Sequence, residues 1–196
     1  LSNEVRALCE DTEHNLWVGL KDGKIRIYDK NRTELGYFTE TGTISHTGVP
    51  LKGNTYCIFQ DSKHNIWIAT KGEGLVKARP QGGGHYKLTR YCHSRDDIYS
   101  LSDNNVYCVY EDVKGRIWVA TFGGGINYLT HNRGGREIFV NHRNNLKGFP
   151  IDNCHKVRFV TGDHRGNIWI ATTVGALMVN SDFKKPEDAV FHHYVR

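Results

Sequence analysis

A fifteen-residue pattern occurs four times in this 196-residue chain and constrains its fold more than any other feature. Each copy begins with an aspartate, continues through a short polar turn and reaches a tryptophan flanked by apolar residues. The spacings between successive tryptophans are 50, 51 and 51 residues. A fixed period of this size indicates a repeat architecture. The repeated residues are Asp11, Trp17, Asp61, Trp67, Asp112, Trp118, Asp163 and Trp169.

Hydrophobic patterning predicts four short strands in each repeat and little helix, because no window holds a 3.6-residue period. The first two strands are apolar on both faces, which predicts cover on both sides by neighbouring sheets. The last strand is more polar and suits an outer edge. The predicted strands are 5–10, 16–20, 24–28 and 34–38; then 55–60, 66–70, 74–78 and 86–91; then 106–111, 117–121, 125–129 and 137–141; then 157–162, 168–172, 176–180 and 189–194.

The segment D-x-x-[GH]-[NR] predicts a tight turn between the first two strands of each repeat. The aspartate carboxylate can accept backbone N–H groups of its own turn. Gly115 and Gly166 suit a left-handed position, and His14 and His64 take the same place. The loops lack the additional oxygen ligands of a calcium site. A small residue two places after the tryptophan predicts close packing of neighbouring sheets: Gly19, Ala69, Ala120 and Ala171.

The five cysteines form no C-x-x-C pair and show no zinc-ligand spacing with histidine. Cys57 and Cys108 share a repeat position that Ala7 and Phe159 fill in the other repeats. Such a set predicts an apolar packing position, in which a free cysteine behaves as a small hydrophobe. We therefore expect unreactive thiols.

The formal net charge is +5, and the basic residues are scattered. This balance suits a soluble surface or a preference for anionic partners, and it argues against nucleic acid as a direct partner. No run of eighteen apolar residues occurs. The chain begins within a repeat, without a signal peptide or an initiator methionine, so we expect it to be part of a longer protein.

The pattern N-x-V-x-x-φ-x-x-D-x-x-G-x-φ-W-φ-[GA]-T-x-x-G-G-φ, with φ apolar, resembles the two-component regulator propeller repeat. Residues 104–126 match it best, and residues 1–5 resemble a remnant of its lead-in. Leu20 and Lys24 in the first repeat and Val174 and Ala176 in the fourth depart from it. The resemblance implies an all-β fold, a β-propeller of four-stranded antiparallel blades. About four blades lie in this chain, at 1–50, 51–101, 102–152 and 153–196, as part of a larger ring.

The resemblance also implies a function. Such propellers form the periplasmic sensor part of hybrid two-component receptors in Bacteroidetes, which combine a histidine kinase with a response regulator. They sense oligosaccharides released from polysaccharides and regulate transcription. The chain would then be a non-enzymatic ectodomain of an inner-membrane protein, without cofactor or metal, completed by further blades and a homodimer in the full receptor.

A ligand site is predicted where the second-to-third-strand loops and the blade-to-blade connections meet. The connections at 39–54, 92–105 and 142–156 are long, as functional loops often are. Five residues before each aspartate, an otherwise apolar strand carries arginine or tyrosine, which suits sugar stacking and carboxylate or sulfate binding. The predicted site residues are Arg6, Tyr56, Tyr107 and Arg158, with Lys21, Lys71, Phe122 and Thr173 from the loops.

Two other functional classes stay open at this stage. A protein-interaction scaffold would use the same face of a propeller. A polysaccharide lyase or hydrolase would need an acid–base set in one cleft. The acidic residues near the predicted entrance share no spacing: Asp22, Glu73, Asp97, Asp103 and Asp152. His192 and His193 point to opposite faces of a strand and cannot hold one metal ion together.

Overall fold

A computed structural model of the chain describes residues 4–195, and all sixteen predicted strands are present within them. The predicted lead-in at residues 1–3 lies outside the described residues. Helix is scarce, as expected: one helical turn, α1, spans Ile151–Cys154, and a 3₁₀ turn spans Pro186–Asp188. The strands are β1 Val5–Glu10, β2 Leu16–Leu20, β3 Ile25–Tyr28, β4 Glu34–Phe38, β5 Ile44–Ser45, β6 Asn54–Gln60, β7 Ile66–Lys71, β8 Leu75–Gly82, β9 His85–Tyr91, β10 Val106–Glu111, β11 Ile117–Thr121, β12 Gly125–His131, β13 Glu137–Val140, β14 Val157–Gly162, β15 Asn167–Thr172, β16 Gly175–Asn180 and β17 Phe191–Tyr194.

The strands form four antiparallel sheets, each a meander of consecutive strands. The sheets are β1–β5, β6–β9, β10–β13 and β14–β17. This arrangement is the blade of a β-propeller, so the predicted fold class is confirmed. The first blade has a fifth strand, Ile44–Ser45, which pairs with β4 and was not predicted. Two residues are too few to show an alternating pattern.

The residues up to Arg90 form one compact unit that contains the first two blades. Its core lies between these blades, where Trp17, Phe38 and Tyr86 make edge-to-face contacts with ring centroids 5.1–5.5 Å apart. Ile58 in this core is 5% exposed, whereas the equivalent Leu8 on the other face of the first blade is 61% exposed. The burial of this strand position therefore depends on a neighbouring blade.

The residues from Tyr91 onward form a second compact unit that contains the third and fourth blades. Cys108 is buried between them, and its thiol donates to the carbonyl oxygen of Val160 at 3.5 Å. The prediction of an apolar packing position is wrong for Phe159, which is 56% exposed together with its exposed strand partner Ala171. Among the described residues of the second unit, no sheet covers that face of the fourth blade.

The aspartate turn is built as predicted in every blade. In the third blade, Oδ1 of Asp112 accepts the N–H groups of Lys114 at 2.9 Å and Arg116 at 3.0 Å. Gly115 has a φ of 74°, and His14 and His64 adopt the same left-handed conformation with φ 63°. The sequence did not predict that the second carboxylate oxygen accepts the indole N–H of the repeat tryptophan. These N–O distances are 2.8 Å for Trp17, 2.7 Å for Trp67, 2.8 Å for Trp118 and 3.0 Å for Trp169.

Close packing around the tryptophan strand explains the small residue that follows. A Cβ atom on Gly19 would lie 3.0 Å from Thr55 of the second blade and 3.1 Å from Ala7. Trp17, Trp67 and Trp118 are 0–1% exposed, whereas Trp169 of the fourth blade is only partly buried. The tryptophan position is therefore a core position wherever a second sheet lies against it.

Candidate functional site

The first strand of each blade contains a β-bulge, and the bulged residue is the predicted ligand-binding residue. In the first blade Val5 pairs with Leu20 and Ala7 pairs with Gly19, which leaves Arg6 without a partner across the ladder. The same shift in register occurs in the other blades. A bulge leaves its extra residue outside the ladder and re-aims its side chain. The bulged residues are Arg6, Tyr56, Tyr107 and Arg158.

Two of these residues meet in the first unit. Nη1 of Arg6 donates to the hydroxyl of Tyr56 at 3.0 Å, and the guanidinium lies 5.1 Å from the centroid of the Tyr56 ring. Glu4 joins them: it pairs with Arg6 at 3.4 Å and with the predicted loop residue Lys21 at 2.8 Å. The Glu4 carboxylate therefore forms ion pairs with two cations in this group.

The ion pairs change the protonation behaviour of Glu4. Its hydrogen bond from Lys21, together with the positive charges of Lys21 and Arg6, lowers the pKa of the Glu4 carboxyl. The carboxylate thus stays ionised at neutral pH, and it offsets much of the positive charge that the sequence placed at Arg6 and Lys21. Salt screens such exposed pairs.

The other two bulged residues meet in the second unit through Phe122. The rings of Tyr107 and Phe122 stack with centroids 4.9 Å apart and an interplanar angle of 20°. The guanidinium of Arg158 lies 4.9 Å from the centroid of the Phe122 ring, and Nζ of Lys156 lies 5.8 Å from it. Two aromatic rings and two cations therefore form one group, which we call the Phe122 cluster (Tyr107, Phe122, Lys156 and Arg158).

The electrostatic surroundings of the two groups differ. Within residues 4–195, neither Arg158 nor Lys156 has a carboxylate at ion-pair distance. Asp103 lies near the Phe122 loop, where a Cβ on Gly123 would approach its Oδ2 to 2.8 Å, and its Oδ1 accepts the N–H of Asn105 at 2.6 Å. Glu4 pairs with both cations of the first group, whereas no carboxylate pairs with Arg158 or Lys156 in the described residues. The Phe122 cluster is therefore the more electropositive of the two groups.

The predicted loop residues Lys21, Lys71, Phe122 and Thr173 are all held against the start of their own blade. Backbone N–H groups donate from Lys21 to Glu4 at 2.8 Å, from Phe122 to Asn105 at 2.8 Å and from Thr173 to Lys156 at 3.2 Å. Asn54 and Lys71 pair at the end of their ladder. These contacts place each loop beside the beginning of the strand that carries the bulge.

Lys71 lines a shallow cavity of about 460 Å³ in the first unit, and Arg6 and Tyr56 are not among the residues that line it. The cavity is lined by the tip of the β2–β3 loop and by residues 50–54 of the connection between the blades. Cations and carboxylates both face it, including Lys52, Lys71, Asp22 and Glu73. The sequence predicted Lys71 as a loop residue of the same site as Arg6, and the structure places it at this cavity.

Sequence reasoning missed Glu4 and Lys156, although the repeat contains the signal for both. They occupy the position two residues before the bulge, where the other blades have Asn54 and Asn105. All four residues are polar, and each immediately precedes a valine or threonine at the beginning of the strand. Extending the comparison of repeat positions by two residues would have identified them.

The described residues contain neither a metal-ligand group nor a helix that could span a membrane. Among residues 4–195, no group of three His, Cys, Asp or Glu side chains is close enough to hold a metal ion. None of the helices in that part of the chain is long and apolar enough to cross a membrane.

Comparison with known sequences finds a family that three segments of the chain match. The model of the two component regulator propeller family matches residues 1–22, 50–72 and 100–123, about a third of the chain. A curated relative, Histidine kinase P4 of Formosa agariphila, is 30% identical over 71 residues. This alignment covers 36% of the chain and 5% of the relative, so the chain corresponds to a small part of that protein.

Solved structures share the fold over the whole chain. The extracellular domain of a hybrid two component system from B. thetaiotaomicron aligns with a TM-score of 0.73 at 21% identity, over 100% of this chain and 25% of that one. A streptogramin B lyase aligns with a TM-score of 0.68 at 15% identity, over 100% of this chain and 55% of that one. Identities this low establish the fold alone.

Proposed function

Because three segments of the chain match the two component regulator propeller family, we propose that the chain is a ligand-binding part of the sensor domain of a hybrid two-component histidine kinase. The family match and the histidine kinase relative support this assignment. The extracellular location of the similar B. thetaiotaomicron domain supports a periplasmic location. The proposed ligand is an oligosaccharide from polysaccharide breakdown, and its binding regulates transcription through the rest of the receptor.

The observation that carries the ligand class is the Phe122 cluster. The stacked rings of Tyr107 and Phe122 offer an aromatic surface beside a guanidinium. Aromatic side chains combine a large apolar face with a defined geometry, and arginine donates several hydrogen bonds in a fixed fork. A sugar ring presents an apolar face and a rim of hydroxyl groups, so it uses both components.

The charges of the cluster favour an acidic or sulfated sugar. Arg158 and Lys156 lack a carboxylate partner in the described part of the chain, whereas Glu4 pairs with both Arg6 and Lys21. Guanidinium groups bind carboxylate and sulfate through paired, charge-assisted hydrogen bonds. In our proposal Arg158 therefore supplies the preference for an anion, and Arg6 contributes mainly through its contact with Tyr56.

A lyase is the second candidate, because a streptogramin B lyase shares the fold. Fold alone does not assign chemistry. The two candidates differ in what happens to the ligand, since a sensor releases the sugar intact. A protein-interaction scaffold would bind no sugar at all.

A thermal-shift screen tests the proposal. Matched sulfated and desulfated oligosaccharides are added to the chain, and each sugar is analysed by mass afterwards. A ligand at about a hundred times its dissociation constant stabilises the folded state by roughly 2.7 kcal/mol. We expect a selective rise in melting temperature with the sulfated sugar, recovered uncleaved. A cleaved product would favour the lyase, and a flat panel would contradict sugar sensing by this chain.

The exposed blade faces support the proposal that further blades complete the receptor domain. Leu8 and Phe159 are 61% and 56% exposed on apolar sheet faces, which further blades of the same receptor would cover. Phe159→Ser should then change the stability of this chain by only about 0.5 kcal/mol, yet clearly destabilise the whole ectodomain. Equal effects in both would refute the assignment. The proposed homodimer is tested by sedimentation of the whole ectodomain.

A further inference from the structure

A cavity of about 540 Å³ lies in the second unit, at the end of the third blade opposite the bulge. β10 runs from Tyr107 to the Asp112 turn, and Arg116 of that turn lines the cavity. One wall is formed by β12 and β13, and the other by the segment that connects β16 and β17. The cavity is therefore separate from the Phe122 cluster. Its size is typical of small-molecule sites, which span about 300–1,000 Å³.

Aromatic and aliphatic side chains give the cavity an apolar surface. Phe183 lies with its centroid 5.9 Å from that of Tyr128, and Ile138 and Val140 line the opposite wall. Tyr128 is 4% exposed, and burial raises its pKa to about 12. Its hydroxyl thus stays protonated at neutral pH, and it has no hydrogen-bond partner among residues 4–195.

The charged groups that line the cavity are all cationic: Arg116, Arg136 and Lys184. Two of these cations, Arg116 and Arg136, form ion pairs with carboxylates that do not line the cavity. Nε of Arg116 donates to Asp112 at 2.7 Å, and Arg136 pairs with Asp97. Lys184 has no ion-pair partner within residues 4–195. A nearby carboxylate, Glu187, accepts a hydrogen bond from Asn145 at the rim. The charge of Lys184 acts on Asp182, but that carboxylate is already paired with Lys114, so Lys184 keeps its donors free for an anion at the cavity.

We propose that this cavity binds a small organic monoanion in which a carboxylate is attached to an aromatic ring. The carboxylate pairs with Lys184, and the ring packs between Phe183 and the aliphatic wall of Ile138 and Val140. Arg116 already stacks on Phe183, with its guanidinium 4.3 Å from the ring centroid, so the aromatic wall is held in place. This site goes beyond the proposed oligosaccharide function and shares no residue with it.

Isothermal titration of the full chain with 4-hydroxybenzoate tests the proposal, and 4-hydroxybenzamide is the neutral isostere. We expect the benzoate to bind about threefold more tightly than the amide, a difference of the size that one exposed charge contributes. Lys184→Gln should remove this preference while leaving the affinity for the amide unchanged. Lys184 is exposed, so the variant should fold as the wild type does.

Lys185→Gln is the matched control, since it removes an identical charge from a neighbouring residue that does not line the cavity. It should retain the preference for the benzoate. Equal affinity for benzoate and amide in the wild type would overturn the proposal, as would an equal loss in the two lysine variants. Absence of binding up to about 10 mM, roughly ten times the dissociation constant of a weak site near 1 mM, would overturn it as well.

Discussion

The two ends of the first strand differ in how constant their residues are from blade to blade. At the far end an aspartate accepts the indole N–H of a tryptophan, with N–O distances of 2.7–3.0 Å in all four blades. At the near end the bulge carries arginine, tyrosine, tyrosine and arginine. The hydrogen bond between aspartate and tryptophan stabilises every blade in the same way. The bulge has the same backbone register in every blade, but its side chain is arginine in two blades and tyrosine in the other two.

This difference has a simple physical reason. Trp17, Trp67 and Trp118 are 0–1% exposed, so any other residue would leave a cavity or an unsatisfied carboxylate. A bulged residue has no ladder partner and contacts mostly other side chains. It can therefore change from blade to blade at little cost in stability. The comparison predicts large stability effects at one end and small ones at the other.

The largest effect is expected for Trp118→Ala, which empties a core position. It should lower the free energy of unfolding by about 3–5 kcal/mol in urea titrations. Trp169→Ala should cost less, because Trp169 is only partly buried. A loss below about 1 kcal/mol for Trp118→Ala would contradict the core role of this position.

Asp112→Asn should come next. The carboxylate of Asp112 is fully buried and accepts hydrogen bonds from the indole of Trp118 at 2.8 Å and from Arg116 at 2.7 Å. Removing its charge should cost about 2–3 kcal/mol, as for a hydrogen bond with a charged group. Urea unfolding measures this cost. In the fourth blade Asp163→Asn is the comparison, and it should be the milder change because Asp163 is less buried.

Stability should also depend on the protonation of His142. Burial, with the positive charges of Arg143 and Lys147, lowers the pKa of this imidazole below its usual 6.5, against a raising contribution from a hydrogen bond with Gly124. The unfolded chain then binds a proton more readily than the folded one. Stability attributable to His142 should therefore be complete above about pH 6.5 and fall as the pH decreases through the folded pKa.

Thermal unfolding between pH 7 and pH 5 measures this dependence. His142→Gln should flatten the curve, whereas His192→Gln, at an exposed position, should leave its slope unchanged. The contact of His142 with Gly124 ties this titration to the loop that carries Phe122. An identical slope in the wild type and in His142→Gln would refute the role assigned to His142.

The smallest effect is expected at the bulge. Tyr56→Phe keeps the ring that Arg6 contacts and removes only the hydroxyl that accepts its hydrogen bond at 3.0 Å. A single partly exposed hydrogen bond of this kind contributes about 0.5–1 kcal/mol. If Tyr56→Phe lowered the free energy of unfolding in urea as much as Asp112→Asn does, the proposed difference between the two ends of the strand would be wrong.

Sequence patterning predicted the framework almost completely, because its determinants are local and repeated. The aspartate turn, the left-handed His14 and His64 and the strand order all follow from residues close in the chain. The bulge was not predicted, since a shift in register depends on the partner strand. The exposure of Phe159 was not predicted either, because it depends on whether another sheet lies against that face.

The sequence did not predict which of the proposed site residues contact one another. The repeat period identified Arg6, Tyr56, Tyr107 and Arg158, but the sequence gives no distances between blades. The structure pairs Arg6 with Tyr56 and joins Tyr107 to Arg158 through Phe122. It also adds Glu4, whose carboxylate makes the first group less cationic than the sequence indicated.

The most direct test of the account measures two quantities in two variants. The free energy of unfolding and the rise in melting temperature with a sulfated oligosaccharide are compared in Arg158→Gln and Asp112→Asn. We predict that Arg158→Gln keeps wild-type stability and loses the ligand-induced rise, while Asp112→Asn is destabilised and keeps the rise. If Arg158→Gln retained the full rise, or if both quantities changed together in both variants, the separation of framework and binding residues would be wrong.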